Sequence, residues 1–150
     1  MGTDGINGGK YTSTEIKNII LKLWPKNQKS KPYVVCTGGE PLLQMDDDLI
    51  FSIHDAGFEI GIETNGTVSP PKNIDWVCVS PKAKTDIVIT KGNELKIVYP
   101  QCGINPRMYE DLDFEHFFIQ PMDGKDRKEA IKKSENCLLY TSDAADERLR

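Results

Sequence analysis

The feature that most constrains the fold is a series of short apolar runs, each closed by a polar group that forms a turn. The first run is YVVC at 33–36, which ends at Thr-Gly-Gly-Glu-Pro. Its β-branched and aromatic residues, with Pro32 before them and two glycines after, predict a strand buried on both faces in the middle of a sheet. Runs of the same form follow at 58–63, 76–79, 94–99 and 116–119.

Two helices are expected among these strands. Thr12 and Glu15 have the spacing of a capping box, and apolar residues recur after them at helical spacing as far as Trp24. Three aspartates at 46–48 favour a second helix start, and Gly57 favours its end. Strands that alternate with helices pair in parallel through right-handed crossovers, so the sequence predicts an α/β sheet or part of a barrel.

The polar groups that close the strands are candidate binding residues. In a parallel sheet or barrel the carboxyl ends of all strands lie at one edge, so we expect these groups to converge there. The groups are Thr37, Gly38, Gly39 and Glu40, then Glu63, Thr64 and Asn65, then Ser80, Pro81 and Lys82, and finally Gln120, Pro121, Met122 and Asp123. This pattern predicts a pocket rich in backbone donors and acceptors, in which Glu40, Glu63, Lys82 and Asp123 are the candidate charges.

Each group also has a purely structural interpretation. Every α/β protein needs polar residues after its strands in order to turn the chain. Glu40 then serves as a helix-start carboxylate, Lys82 as a solvated lysine and Met122 as a gap filler. His54 and His116 are assigned no catalytic role.

Composition excludes some classes of function. The chain has 150 residues, a formal net charge of -4 and 38% hydrophobic residues, which suits one globular domain. Its basic residues are not clustered, so no nucleic-acid partner is predicted. Neither a bilayer-spanning run nor a signal pattern is visible, so no membrane association is predicted and a cytoplasmic location is expected. The four cysteines are far apart, without a C-x-x-C pair, and predict no metal site.

The motifs carry a resemblance to a known family. A strand that ends in TGGEP resembles the motif with which radical S-adenosylmethionine enzymes hold the methionine end of that cofactor. Together with FEIGIETNGT, IDWVCVSPKA, GNELKIVYPQ and LDFEHFFIQPMDG, in this order, the chain resembles the 7-carboxy-7-deazaguanine synthase family of that superfamily. The resemblance covers residues 2–133 and implies a partial (β/α) barrel with parallel strands, of the radical S-adenosylmethionine type.

The resemblance also implies roles for individual residues. Thr37 matches the position that contacts the pterin substrate. Gly39, the turn Ser80-Pro81-Lys82 and the segment 120–123 match contacts to S-adenosylmethionine. Gly38, Glu40, Glu63 and Asn65 lie on the same edge and are included as cofactor-binding residues. No residue of this chain matches a catalytic position.

The implied reaction is the ring contraction of 6-carboxy-5,6,7,8-tetrahydropterin to 7-carboxy-7-deazaguanine, with release of ammonia, in queuosine and deazapurine biosynthesis. In the family, a reduced 4Fe-4S cluster cleaves S-adenosylmethionine to the radical that takes a hydrogen from the substrate, and Mg²⁺ assists the rearrangement. The implied partners are the small-molecule pterin, an electron-donating reductase such as flavodoxin, and a second copy of the chain in a homodimer.

Both ends of the chain depart from the family pattern. The family holds its cluster with three cysteines near the N-terminus and its magnesium with a threonine of the following Asp-Thr, and the resemblance places all of these upstream of Met1. This chain alone is therefore expected to be inactive. The stretch CLLYTSDAADE resembles the translation of a transposase-adapter sequence and does not continue the helical pattern before it. Residues 1–136 are accordingly interpreted as a fragment of one domain, truncated at both ends, and residues 137–150 as a non-native tail.

Three other functions are compatible with the sequence. The chain resembles, less closely, an activating enzyme for a glycyl-radical partner. It could alternatively be a binding domain that retains the strand-end residues without catalysis. An aldolase that forms a Schiff base on Lys82 or Lys96 is a third alternative, although neither lysine has a visible device for lowering its pKa.

Overall fold

A computed structural model describes the backbone of residues 8–147 and the side chains of residues 8–138. One sheet contains five strands in the order β1-β2-β3-β4-β5, and every neighbouring pair is parallel. The prediction of an α/β fold with a parallel sheet is confirmed, and the sheet is consistent with a partial β/α fold. The strands are β1 (Tyr33–Cys36), β2 (Glu59–Thr64), β3 (Trp76–Val79), β4 (Lys91–Tyr99) and β5 (Asp113–Pro121).

Helices α1 (Ser13–Leu23) and α2 (Asp47–Asp55) form where the sequence predicts them. The capping box of α1 is present: the Thr12 side chain accepts a hydrogen bond from the Glu15 amide, and the Glu15 carboxylate accepts one from the Thr12 amide. Asp46 caps α2 by accepting a hydrogen bond from the Leu49 amide. These caps satisfy main-chain donors that the first helical turns leave unpaired.

The helices and the short 3₁₀ segment Pro41–Leu43 cover one face of the sheet, here called the covered face. Its side chains lie in one hydrophobic core with Ile50 and Ile53 of α2. Strands β1 to β4 contribute to this core every second residue, as alternation along a strand requires, and β5 contributes Phe114. The most deeply buried strand residues of the covered face are Ile60, Ile62, Val79, Leu95 and Ile97, each less than 5% exposed.

The opposite face, here called the second face, carries polar and aromatic side chains. Trp76 stacks on His116, with ring centroids 5.9 Å apart, and the His116 ring lies 6.2 Å from that of Phe118. Tyr33 lies across Gly61, where a Cβ atom would meet the tyrosine hydroxyl at 1.9 Å. Only a glycine therefore fits at this position of β2 while Tyr33 keeps its place.

The prediction that YVVC lies in the middle of the sheet, buried on both faces, is wrong for the described part of the chain. There β1 is an edge strand that pairs with β2 alone. Tyr33 and Val35 are 39% and 48% exposed because they project from the second face, whereas Val34 and Cys36 pack against the core. The apolar run therefore predicts that a strand forms here, but it does not predict where that strand lies in the sheet.

Helix α3 (Arg127–Glu147) follows β5 and extends beyond the point where the sequence pattern predicted a break. Its early part is anchored to the sheet, because the buried Ser134 donates a hydrogen bond to the carbonyl of Tyr99 at 3.3 Å. The later residues include alanine and glutamate, which favour helix without any apolar periodicity. Whether residues 137–150 are a non-native tail, and residues 1–136 one domain, stays a prediction.

Among helices α1 to α3 as described, none combines the length and hydrophobicity of a bilayer-spanning segment.

Candidate functional site

The candidate site is the edge of the sheet at which the parallel strands end, here called the strand-end rim. It consists of residues 37–40 after β1, 63–65 at the end of β2, 80–82 after β3 and 120–123 at the end of β5. Hydrogen bonds join the first three groups to one another. The fourth group bonds instead to the end of β4, where the Met122 amide donates to the carbonyl of Tyr99 at 2.8 Å.

The turn after β1 exposes its main chain. Gly38 and Gly39 have φ angles of 84° and 58°, in the left-handed region that favours glycine. A Cβ atom built on Gly39 would have no other atom within 4 Å, so the space beside this main chain is open. A ligand can therefore approach the peptide groups of this turn closely.

The carboxylate of Glu40 is held entirely by hydrogen bonds within the chain. One oxygen accepts from the Thr64 hydroxyl at 2.7 Å and from the Leu42 amide at 3.1 Å, and the other accepts from the Asn65 amide at 2.8 Å. The structural interpretation of Glu40 as a helix-start carboxylate is thus confirmed for the 3₁₀ segment, where it is the N-cap. The same group also links the first turn of the rim to the second.

A second polar network crosses the rim on the second face. The Thr37 hydroxyl donates to one oxygen of Glu63 at 3.0 Å, and the ammonium of Lys96 donates to the other at 2.7 Å. The hydrogen bonds from Lys96 and then from Thr37 lower the pKa of the Glu63 carboxyl. Burial opposes the charge of Lys96, yet the Glu63 contact and further acidic neighbours outweigh it, so the pKa of Lys96 is raised. Both side chains are therefore charged at neutral pH.

Lys96 was missed as a site residue by the sequence interpretation, which considered it only as a Schiff-base lysine. A signal was present, since Glu94 and Lys96 alternate with the buried Leu95 and Ile97 in NELKIV. Two charges on one face of an otherwise apolar strand indicate that this face is not part of the hydrophobic core. The raised pKa also argues against a Schiff base, which requires a neutral amine.

The turn after β3 packs tightly against the end of β2. The Ser80 amide donates to the carbonyl of Thr64 at 2.8 Å, and the Lys82 ammonium donates to the Ser80 hydroxyl at 3.0 Å. Pro81 is buried, whereas Lys82 is exposed. This turn thus places one buried hydroxyl and one exposed cation on the rim.

The segment that ends β5 is more open. Gln120, Met122 and Asp123 are exposed, and the Asp123 carboxylate lies 3.9 Å from the guanidinium of Arg127. Met122 and Asp123 border a cavity of about 350 Å³ together with the start of α3. The predicted convergence is therefore tightest at β1, β2 and β3, and loosest at β5.

The four cysteines lie on or after separate elements. Cys36 ends β1, the buried Cys78 lies in β3, Cys102 follows β4 and Cys137 is in α3. Burial and a hydrogen bond to Glu94 raise the pKa of the Cys78 thiol to about 12, which opposes the thiolate form that binds metal. Within residues 8–138 no group of three or more ligating side chains is placed to hold a metal ion. These residues therefore do not fit a three-thiolate iron–sulfur site.

Comparison with known proteins gives one consistent result. A 7-carboxy-7-deazaguanine synthase of Bradyrhizobium diazoefficiens is 51% identical over 142 residues, which cover 93% of this chain and 67% of that relative. Synthases of the same name from Burkholderia multivorans and Bordetella pertussis are 52% and 48% identical over 128 residues, which cover 85% of this chain and 60% of each relative. No protein-family model matches the chain.

The chain spans between 60% and 67% of the length of these curated relatives. The matched residues extend across most of the described sheet and its rim, at a level of identity where relatives share a fold. The chain belongs to the 7-carboxy-7-deazaguanine synthase family.

Proposed function

We propose that the full-length protein carries out the ring contraction of 6-carboxy-5,6,7,8-tetrahydropterin to 7-carboxy-7-deazaguanine, with release of ammonia, as a radical S-adenosylmethionine lyase of queuosine and deazapurine biosynthesis. The observation that carries this proposal is the identity of about half of all positions, over 128 to 142 residues, to proteins that bear the synthase name.

The rim has the chemistry to bind an amino-acid end such as that of S-adenosylmethionine. The open main chain at Gly38 and Gly39 offers peptide groups to an ammonium or a carboxylate. The proposed cofactor contacts are Gly38, Gly39, Glu40, Glu63, Asn65, Ser80, Pro81, Lys82, Gln120, Pro121, Met122 and Asp123. Hydrogen bonds join the first three strand ends to one another, whereas the segment at β5 is more exposed.

Thr37 is the proposed contact to the pterin. Its hydroxyl already donates its proton to Glu63, so it can offer a ligand only lone pairs. A ligand group at this position must then be a hydrogen-bond donor, and a pterin carries such N–H groups along its edge. Lys96 holds the other oxygen of Glu63 and thereby keeps the Thr37 hydroxyl oriented.

The proposed activity also requires a 4Fe-4S cluster and Mg²⁺. The cysteines of the described residues do not fit the cluster, so its ligands have to come from other residues of the full-length protein. What the described rim contributes is the placement of the cofactor's amino-acid end and of the substrate.

Anaerobic assay of the full-length gene product tests the proposal. The protein is supplied with iron, sulfide, Mg²⁺, a reductant, S-adenosylmethionine and 6-carboxy-5,6,7,8-tetrahydropterin, and the products are identified by mass spectrometry. Formation of 7-carboxy-7-deazaguanine is the expected result. Cleavage of S-adenosylmethionine without this product would favour an activating enzyme for a glycyl-radical partner, and binding of S-adenosylmethionine without cleavage would favour a non-catalytic binding domain.

A cytoplasmic homodimer that receives electrons from a reductase such as flavodoxin completes the proposal. Light scattering on the full-length protein tests the dimer, and replacement of the chemical reductant by reduced flavodoxin tests the electron donor. A monomer with full turnover would contradict the dimeric part alone.

A further inference from the structure

We propose that Glu40 is a positioning residue, whose carboxylate ties together the turns after β1 and β2 and so holds the glycine main chain in its ligand-binding shape. This inference rests on the proposed function for the identity of the ligand, S-adenosylmethionine. It gives the Glu40 side chain an indirect role in place of the direct cofactor contact proposed above.

The number and placement of the donors carry the inference. The three hydrogen bonds to Glu40 come from both sides, two from the second turn and one from the segment that follows Glu40 itself. Both carboxylate oxygens are occupied, and three of roughly four acceptor positions are used by the chain. A charged acceptor on the first turn that bonds the second turn at 2.7 and 2.8 Å fixes the relative position of the two turns more strongly than a neutral one would.

The link continues from Thr64 into the interior. The Thr64 hydroxyl donates to Glu40 and accepts from the Gly66 amide at 3.1 Å, and the carbonyl of Gly66 accepts from the Val88 amide at 2.8 Å. Thr64 is 2% exposed, so its hydroxyl cannot touch a ligand on the rim. Its effect on ligand binding must therefore pass through Glu40 or through the turn.

The burial of Thr64 makes the proposal testable. Glu40→Gln keeps the size of the side chain but puts a donor where one of the amides donates, and Thr64→Val replaces the hydroxyl by a methyl group of similar size. Thr64→Ser keeps the hydroxyl and serves as the conservative variant. Glu59→Gln is the matched control, since this carboxylate lies at the opposite end of β2 and pairs with Lys31.

The experiment is calorimetric titration of the full-length protein and its variants with S-adenosylmethionine. We expect Glu40→Gln and Thr64→Val each to weaken binding about tenfold, and the double variant to bind no more than about twofold worse than the weaker single variant, because both changes break one network. Thr64→Ser and Glu59→Gln should bind like the wild type. A Thr64→Val protein with wild-type affinity beside a Glu40→Gln protein with lost affinity would overturn the proposal, as would full additivity.

Amide hydrogen exchange separates failure of this inference from failure of the proposed function. If the wild-type protein does not bind S-adenosylmethionine, the proposed function fails. The link between the turns can still be tested, because it also predicts how fast particular amides exchange. Glu40→Gln should then accelerate exchange about tenfold at the amides of Leu42 and Asn65, with Glu59→Gln unchanged. Unaltered exchange at both amides would overturn the inference, and this readout also decides the case if Thr64→Val does not fold.

Discussion

The two faces of the same five strands are stabilised by different chemistry. On the covered face, aliphatic side chains are almost fully removed from water, and their burial stabilises the sheet. On the second face, ion pairs, hydrogen bonds and stacked rings connect neighbouring strands, and several side chains stay half-exposed. Burial on the covered face therefore provides most of the stability of the sheet, and the second face is available for function. Four measurements test this difference between the two faces.

The largest expected effect concerns Cys78, which belongs to the second face yet is buried. With its pKa raised to about 12, only about one thiol in ten thousand is ionised at pH 8. We expect a thiol-specific reagent to modify Cys78 at least about 1,000-fold more slowly than the exposed Cys102, until the protein unfolds. Mass spectrometry of peptides over time gives both rates. Rates within tenfold of each other would show that the second face is open at its centre as well.

Truncation of a side chain should lower the free energy of unfolding by different amounts on the two faces. Ile60→Ala on the covered face leaves a cavity in the core and should lower the free energy of unfolding by about 3 kcal/mol. Val35→Ala on the second face removes a half-exposed side chain and should cost less than about 1 kcal/mol. Urea denaturation of the full-length protein measures both. Equal costs would mean that the second face is buried in the complete molecule.

Two glycines, Gly39 on the rim and Gly66 directly after it, extend the comparison to the turns. Both have a positive φ, but a Cβ on Gly66 would meet Val79 of the covered face at 2.8 Å, whereas one on Gly39 meets nothing within 4 Å. Gly39→Ala should cost about 1 kcal/mol from backbone strain alone, and Gly66→Ala about 2 kcal/mol because overpacking is added. Thermal or urea unfolding of each variant measures the difference, and identical values would argue against the tight packing at Gly66.

The smallest effect concerns the ion pair on the second face. Since the pKa of Glu63 is lowered, its contribution to stability is present above the ordinary value of 4.5 and is lost as the pH falls through the lowered pKa. Lys96→Met should move the pKa of Glu63 upward and remove this contribution, at a cost below about 1 kcal/mol because the pair is partly exposed.

NMR titration of Glu63, with unfolding measured at pH 4 and pH 7, checks this expectation. Lys91→Met, at the exposed start of the same strand, is the control and should leave the Glu63 titration unchanged. A Glu63 pKa that stays low without Lys96 would assign the shift to Thr37 instead.

The helices and strands of this protein, and their order along the chain, can be predicted from local sequence patterns. The capping box at Thr12, the aspartates before α2 and the apolar runs of the strands act over a few residues, so their signals are local and readable. The set of residues at the strand ends can also be predicted from the sequence, because the carboxyl ends of parallel strands lie at one edge of the sheet. The motifs at those ends also carried the family resemblance.

The contacts between these residues, in contrast, depend on how the whole sheet is packed. The edge position of β1, the space that Gly61 leaves for Tyr33, the occupation of Glu40 by two turns and the pairing of Glu63 with Lys96 all join residues that are distant along the chain. A local pattern shows that a residue is polar and follows a strand. It does not show whether the charge faces a ligand or is already used by the chain, because that depends on the register and order of strands, which packing of the whole sheet sets.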